Sequence, residues 1–440
     1  MIETIIKTKY FQVMVSLFFL LTLFFGRSFM GIYLFGGLRI GEYVMASALV
    51  MYIYGLVVSK RYFTNNKLEK NFIAVNVLIF IFFIINAVLS GSSFTNSYTY
   101  RTSSYLWAIG FYFLGYIFFK FNQLNSKYVI FLILSLVYLY FFSIFGLPDT
   151  VILFIRSISD KFEPHKGADL LIIFSSVFFI ANRYFPNKRI CLEVFISFTM
   201  LYFPLFLFKS RGAFIGFVFF VIFEIFYLRK SIKNTISRNI IFIFISLLLL
   251  FQSIFLINGS AFIKLQDTEE SVKFITEYRA DPDDEEFRLL FLEEDYWTKE
   301  MRIKSTDNNL NWRLQIWQDV YFDIHYKKLY FTGYGYKYKI PAMELETRQG
   351  LDKLNENVHN YFVNLYARGG LIHISLYAVF FVLLARILKF KTESNTLLPF
   401  ILACLFAAFF DVAMENSHFP LIFYFMIGMY MNKKALFKYS

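Results

Sequence analysis

The chain has 440 residues, of which 58% are hydrophobic and 17% charged, with a formal net charge of +12. The charges fall in short clusters between long apolar runs such as residues 239–257, which excludes an ordinary soluble domain. A basic balance invites a nucleic-acid reading, so the positions of the lysines and arginines decide its meaning.

Lipid offers no partner for backbone N–H and C=O groups, so a crossing segment is a helix of about 20 mostly apolar residues. Twelve stretches qualify: 11–26, 41–58, 72–90, 104–119, 128–146, 168–182, 190–208, 212–228, 239–257, 371–388, 396–411 and 419–431. The first apolar run has no small-x-small cleavage pattern before Arg27 and reads as a retained span. Cys191 and Cys404 both lie inside apolar runs and read as packing residues, with no disulfide framework. The many phenylalanines and tyrosines suit lipid-facing positions, although biased codon usage accounts for them as simply.

With the N-terminus inside, segments 60–70, 120–127, 182–189, 228–238, 386–391 and 432–438 face the cytoplasm, and each is basic. The opposite segment 90–104 carries one basic residue and 415–420 none. That asymmetry sets orientation by the positive-inside rule, so the net charge is topological and no nucleic-acid partner is expected. Segments 147–167, 209–212, 258–370 and 412–418 then lie outside the cytoplasm. Inside the spans the acidic residues Glu42, Glu193, Glu224 and Asp411 sit near the ends, which speaks against an ion-coupled transporter. The expected fold is an all-α polytopic membrane protein of about 12 transmembrane helices. Spans 1 to 9 occupy residues 1–257, a large, mostly helical periplasmic loop occupies 258–370, and spans 10 to 12 with a cytoplasmic tail occupy 371–440.

The loop divides into unlike halves. Residues 258–310 are acidic, and "DPDDEE" (281–286) lacks the alternating ligands and central Gly of a calcium loop, so it reads as solvated surface. In "TDNNLNWRLQIWQDVYFDI" (306–324), Trp312, Ile316, Val320 and Ile324 recur every four residues behind cap-competent Asn and Asp, which predicts an amphipathic helix. Arg313 falls in its first turn, beside the apolar face, where the ordinary reading of a lone Arg is a salt bridge. "FTGYGYKYKIP" (331–341) predicts a tight turn at Gly333 and Gly335. "NENVHNYFVNLYARGG" (355–370) predicts a helix capped by Asn355 or Asn357 and broken at Gly369–Gly370, with His359 in its first turn. The positive end of a helix disfavours protonation, so this imidazole is expected to be neutral and able to act as a base. A histidine that only hydrogen-bonds its neighbours fits equally, and Glu356 could orient it or simply favour the helix start.

Taken in order, "SRGAF" (210–214), "WRLQIW" (312–317), "GYGY" (333–336) and "NVHNYFVNLYARGGLIH" (357–373) resemble the O-antigen ligase and O-antigen polymerase family of membrane glycosyltransferases. "KFEPHKGAD" (161–169) resembles the family's polar run ahead of a middle span more loosely. The resemblance covers roughly residues 150–440. It implies transfer, outside the cytoplasmic membrane, of a glycan from undecaprenyl diphosphate to an acceptor hydroxyl, without a nucleotide sugar, cofactor or metal.

Arginine offers a fixed, always-charged fork for phosphate oxygens, and Arg211 and Arg313 match the family's pattern for holding the departing diphosphate. His359 is assigned to take the acceptor's proton. Lys209 and His165 are weaker candidates for steering the donor, and Tyr334, Tyr336 and Asn360 are assigned to substrate binding. The expected partners are a lipid-linked glycan donor, a lipid-linked acceptor and membrane lipids. A ligase acting on lipid A–core oligosaccharide is preferred over a polymerase joining lipid-linked repeat units. An exporter of lipid-linked oligosaccharide is the reading of another class.

Overall fold

A computed structural model describes residues 7–58, 66–122, 126–159, 165–184, 188–232, 240–260, 290–295, 299–345, 348–349, 355–392 and 397–431. The helices are α1 (Lys9–Met30), α2 (Ile40–Val57), α3 (Lys67–Leu89), α4 (Ser97–Thr102), α5 (Ser104–Trp107), α6 (Gly110–Phe121), α7 (Ser126–Phe145) and α8 (Asp149–Ile158). They continue with α9 (Gly167–Tyr184), α10 (Lys188–Lys209), α11 (Arg211–Ile232) and α12 (Ile240–Ser260). Strands β1 (Phe291–Glu294) and β2 (Met301–Lys304) follow, then α13 (Asn308–Tyr326), α14 (Tyr361–Thr392), α15 (Leu398–Phe410) and α16 (His418–Tyr430).

Each of the twelve predicted apolar stretches coincides with an apolar helix. Among the described residues, eight helices are long and apolar enough to cross a membrane, and four shorter ones cover Gly167–Asn182, Phe242–Ile257, Leu398–Phe410 and His418–Tyr430. The acidic residues at span ends have local tasks. Glu42 accepts the Arg39 N–H at 2.8 Å and so caps α2. Glu193 pairs with Arg189 one turn earlier at 2.9 Å. Buried Glu224 accepts the Asn182 amide at 2.6 Å, and Asp411 accepts the Val412 N–H at 2.8 Å. Both cysteines are buried and in no disulfide among the described residues, and the Cys191 thiol donates to Asn182 Oδ1 at 2.9 Å.

The chain forms two compact units. The first comprises Met1–Ala74, Ser104–Phe262 and Phe381–Ser440. Its helices approach closely where small residues permit: a Cβ on Gly428 of α16 would lie 2.2 Å from the Tyr112 carbonyl of α6. Aromatic rings fill the spaces between other helices, with Phe174 of α9 wholly buried against Phe178, Tyr202 and Phe217.

The second unit comprises Val75–Ser103 and Ile263–Phe380. Helix α13 starts at cap Asp307, whose carboxylate accepts the Leu310 N–H at 2.9 Å. Its predicted face is the core: Ile316, Val320 and Ile324 are fully buried with Ile340, Met343 and Val358, and Trp312 packs against them.

Within the stretch expected to be mostly helical, β1 and β2 form an antiparallel hairpin, with Phe291 opposite Lys304. Arg302 of β2 explains its place, since this buried side chain bonds Asp319 of α13 at 2.6 Å. Arg313 lies beyond the first turn of α13, because the cap at Asp307 wins over the later asparagines. His359 stands before α14, not in its first turn. Asn360 is the cap, its Oδ1 accepting the N–H groups of Phe362 (2.9 Å) and Val363 (3.0 Å). The "DPDDEE" segment lies outside the described residues.

Candidate active site

In the second unit the chain leaves α13 and makes the turn predicted at Gly333 and Gly335, both with positive φ (62° and 72°). The turn is strapped to α14 by backbone bonds. The N–H of Tyr334 reaches the Ala367 carbonyl at 2.7 Å, that of Gly335 the Arg368 carbonyl at 3.1 Å, and that of Leu371 the Tyr330 carbonyl at 2.7 Å. These bonds need the break in α14 at Gly370 (φ 62°, ψ −162°), which leaves the carbonyls of the preceding turn unclaimed by the helix. A Cβ at Gly370 would lie 2.4 Å from the Phe331 carbonyl carbon, so only glycine fits.

Two side chains given no role in the sequence reading secure this strap: Asn86, outside every quoted motif, and Arg368, inside the 357–373 motif. The Asn86 amide, from the end of α3, donates to the carbonyls of Thr332 (2.8 Å) and Arg368 (2.9 Å). Buried Arg368 donates to the carbonyls of Gly335 (3.1 Å) and Tyr338 (2.7 Å) and to the Tyr98 hydroxyl at 3.2 Å. A cavity of about 500 Å³ opens beside the strap, lined among others by Asn86, Ser90, Tyr334, Tyr338, Lys339 and Glu344. Tyr334 thus presents its ring there while its hydroxyl donates to Asp323 at 2.5 Å, and burial together with that carboxylate pushes the phenol's pKa well up. Tyr336 does not reach the cavity. It is fully buried, its ring packed on Phe83 at 4.9 Å.

Trp312, the residue before Arg313 in α13, meets the His359 imidazole edge-on with ring centroids 5.0 Å apart. The backbone beside the histidine is fixed, because the Trp317 indole donates to the Val358 carbonyl at 2.8 Å and Asn360 caps α14. Two buried donors next to His359, Trp312 Nε1–H and the Asn360 amide, have no acceptor among the described residues. Glu356 pairs with Arg101 and with Lys339 (3.4 Å). The residue bonded to His359 is Asn355, with Nδ2 3.0 Å from Nε2.

Arg211 and Lys209 belong to the first unit, where Ser210 separates α10 from α11. Gly167, at the start of α9, packs against this junction: a Cβ there would lie 2.6 Å from that of Ser210. Two residues on, buried Asp169 bonds buried His418 at 2.7 Å, and His165 is buried beside them. The ring of His165 lies against Gly26, where a Cβ would be 3.6 Å from its Nε2. At this position α1 is broken, with φ 47° and ψ −121°. Burial lowers the His165 pKa to about 4, outweighing Asp169 and the Leu23 backbone, which favour the charged form, while His418 and Lys209 add to the depression. His165 is thus enclosed beside the α10–α11 junction.

Long apolar helices with one compact unit built around a strapped turn define a multi-pass membrane protein. Residues 195–378 match the family model described as Wzy_C: O-Antigen ligase, the family that the sequence motifs resemble. The match takes in Lys209, Arg211, Arg313, Tyr334, Tyr336, His359 and Asn360 and leaves out His165. Among curated proteins, none matches the chain.

Proposed function

We propose that the chain is an O-antigen ligase-like glycosyltransferase of the bacterial inner membrane. It moves a glycan from undecaprenyl diphosphate to a sugar hydroxyl of lipid A–core oligosaccharide on the periplasmic side, with both termini in the cytoplasm. The observation that supports this reading is the match of residues 195–378 to the O-antigen ligase family model, a stretch that takes in Arg211, Arg313 and His359, the last in ring contact with Trp312.

In this reading the two arginines hold the diphosphate and stabilise the charge that grows on it as the sugar departs, a task that fixed cations perform without reorganisation. Lys209, in the same junction as Arg211, adds positive charge for the approaching donor. His359 receives the proton of the attacking hydroxyl. The unclaimed donors of Trp312 and Asn360 suit the oxygens of a sugar or phosphate bound beside it. The cavity at the strap, with two tyrosine rings and mixed polar groups, is of a size and character that suit a sugar acceptor.

The test uses the full chain purified in detergent, supplied with undecaprenyl-diphosphate-linked glycan and lipid A–core. Glycan should appear on the core without nucleotide sugar, metal or sealed membrane. Glycan joined instead to a second lipid-linked unit would make the chain a polymerase, and no transfer to either acceptor would sink the enzymatic reading in favour of export.

A further inference from the structure

An imidazole acts as a base only through the ring nitrogen without a proton, and the hydrogen bond made by one nitrogen decides which that is. For His359 the amide of Asn355 bears on this choice, since its Nδ2 lies 3.0 Å from Nε2. An amide can be turned end for end, so its orientation has to come from its other bonds. Here both ends are claimed. Nδ2 also lies 3.2 Å from the Arg348 carbonyl, which can only accept, and Oδ1 lies 3.3 Å from the Asn357 N–H, which can only donate. Turning the amide would face oxygen to oxygen at Arg348 and N–H to N–H at Asn357. The Asn355 backbone is held as well, its N–H bonded to the Gln349 carbonyl at 2.8 Å.

With Nδ2 thus a donor, Nε2 of His359 accepts, and the ring proton sits on Nδ1. The ring has little freedom to escape, since Trp312 lies across it, the carbonyl of Val358 is held by Trp317, and the residue's own φ is 53°. We propose that Asn355 is a positioning residue for glycan transfer: it fixes His359 as the Nδ1–H tautomer, so that the basic lone pair is on Nε2. The acceptor hydroxyl displaces the Asn355 amide hydrogen from that lone pair and gives its proton to Nε2. Its oxygen then bonds the anomeric carbon, and the bond from that carbon to the diphosphate breaks, its electron pair leaving with the phosphate oxygen. The imidazolium returns to neutrality by losing the proton to water. This inference rests on the glycan-transfer reading for its chemistry, but the tautomer is measurable without it.

The experiment is two-dimensional ¹⁵N–¹H NMR on ¹⁵N-histidine-labelled full chain in detergent, with His359 identified by the signals lost in His359→Gln. Wild type should show the Nδ1–H pattern. Asn355→Asp replaces a donor by an acceptor and should convert His359 to the Nε2–H or doubly protonated form, and Asn355→Leu should give a mixture. In the transfer assay, kcat should fall about 100-fold or more for Asn355→Asp, the range for loss of a general base, with KM for the donor retained. Asn355→Leu should lose less. A wild-type Nε2–H pattern, or a tautomer unmoved in both variants, overturns the proposal. Because Asn355→Leu also removes the amide's bonds to Arg348 and Asn357, Asn355→Asp, of nearly the same shape, is the deciding variant. Wild-type protein that shows the Nδ1–H pattern yet transfers no glycan would mark the failure of the functional reading instead.

Discussion

Asp319 is shared by two arginines that are far apart in sequence: Arg302 of the hairpin and Arg348 beyond the strapped turn both bond its carboxylate. Both guanidinium side chains are only 8% exposed, so the carboxylate compensates two charges held largely away from water. Removing one member of such a group leaves the others uncompensated. Asp319→Asn, equal in shape, is expected to lower stability by about 3–5 kcal/mol, read as a fall in the thermal midpoint of the detergent-solubilised chain. Glu293→Gln, which disrupts the more exposed pair with Lys304, should cost no more than about 1 kcal/mol. Equal effects would contradict the shared-carboxylate account.

The break in α14 gives a second prediction. Gly370→Ala places a Cβ against the backbone at Phe331 in a conformation that L side chains rarely adopt, so the cost should reach about 3 kcal/mol or more. Gly36 also has positive φ, but a Cβ there meets nothing within 4 Å. Gly36→Ala should therefore cost only about 1–2 kcal/mol. A comparison of thermal midpoints separates backbone strain from collision.

Third, the depressed pKa of His165 has a signed consequence. The unfolded histidine titrates near 6.5 and the folded one near 4, so between these values the unfolded chain binds more protons and stability falls as the pH drops. The contribution is fully present above about pH 6.5 and lost below about pH 4, and its size is of the order of 3 kcal/mol. His165→Phe should flatten this part of the pH–stability curve. An unchanged curve would show that the loss of stability in acid lies elsewhere.

Fourth, the proposed phosphate clamp predicts a difference between two cations. Arg313→Lys keeps the charge and loses the fork. At about 1.5–3 kcal/mol for a charge-assisted bond, transfer by the purified chain should drop roughly 10- to 100-fold. Chelator should leave the wild-type rate unchanged, and a rate restored only by added divalent cation would transfer the clamp's task to a metal.

Much of this was legible in the sequence, and the divide follows the range of the interactions. Apolar runs announce helices because burial in lipid depends on composition alone, and the Trp312-to-Ile324 face followed from a four-residue recurrence. Gly333, Gly335 and Gly370 were visible as punctuation. What no local pattern could give is pairing at a distance. Arg368 and Asn86 look like an ordinary cation and a span-end amide until the fold puts them 282 residues apart on one bond. The position of His359 is not legible because three asparagines, Asn355, Asn357 and Asn360, stand where each could cap the helix, and the structure gives the role to Asn360. The hairpin was missed because its strands are four residues each, and its anchor, Arg302, finds its partner in α13.

The strap between the Tyr330–Gly335 turn and the break in α14 joins main chain to main chain. Its specificity is therefore almost silent in the side chains of Tyr330, Tyr334, Ala367 and Leu371, which contribute N–H and C=O groups common to all residues. Substitutions at these four positions could accumulate without loosening the joint, while Gly333, Gly335, Gly370, Asn86 and Arg368 could not be exchanged one at a time. Across related chains, the joint would survive as a sparse signature of three glycines, one amide and one guanidinium, easily lost to any comparison that weighs overall identity.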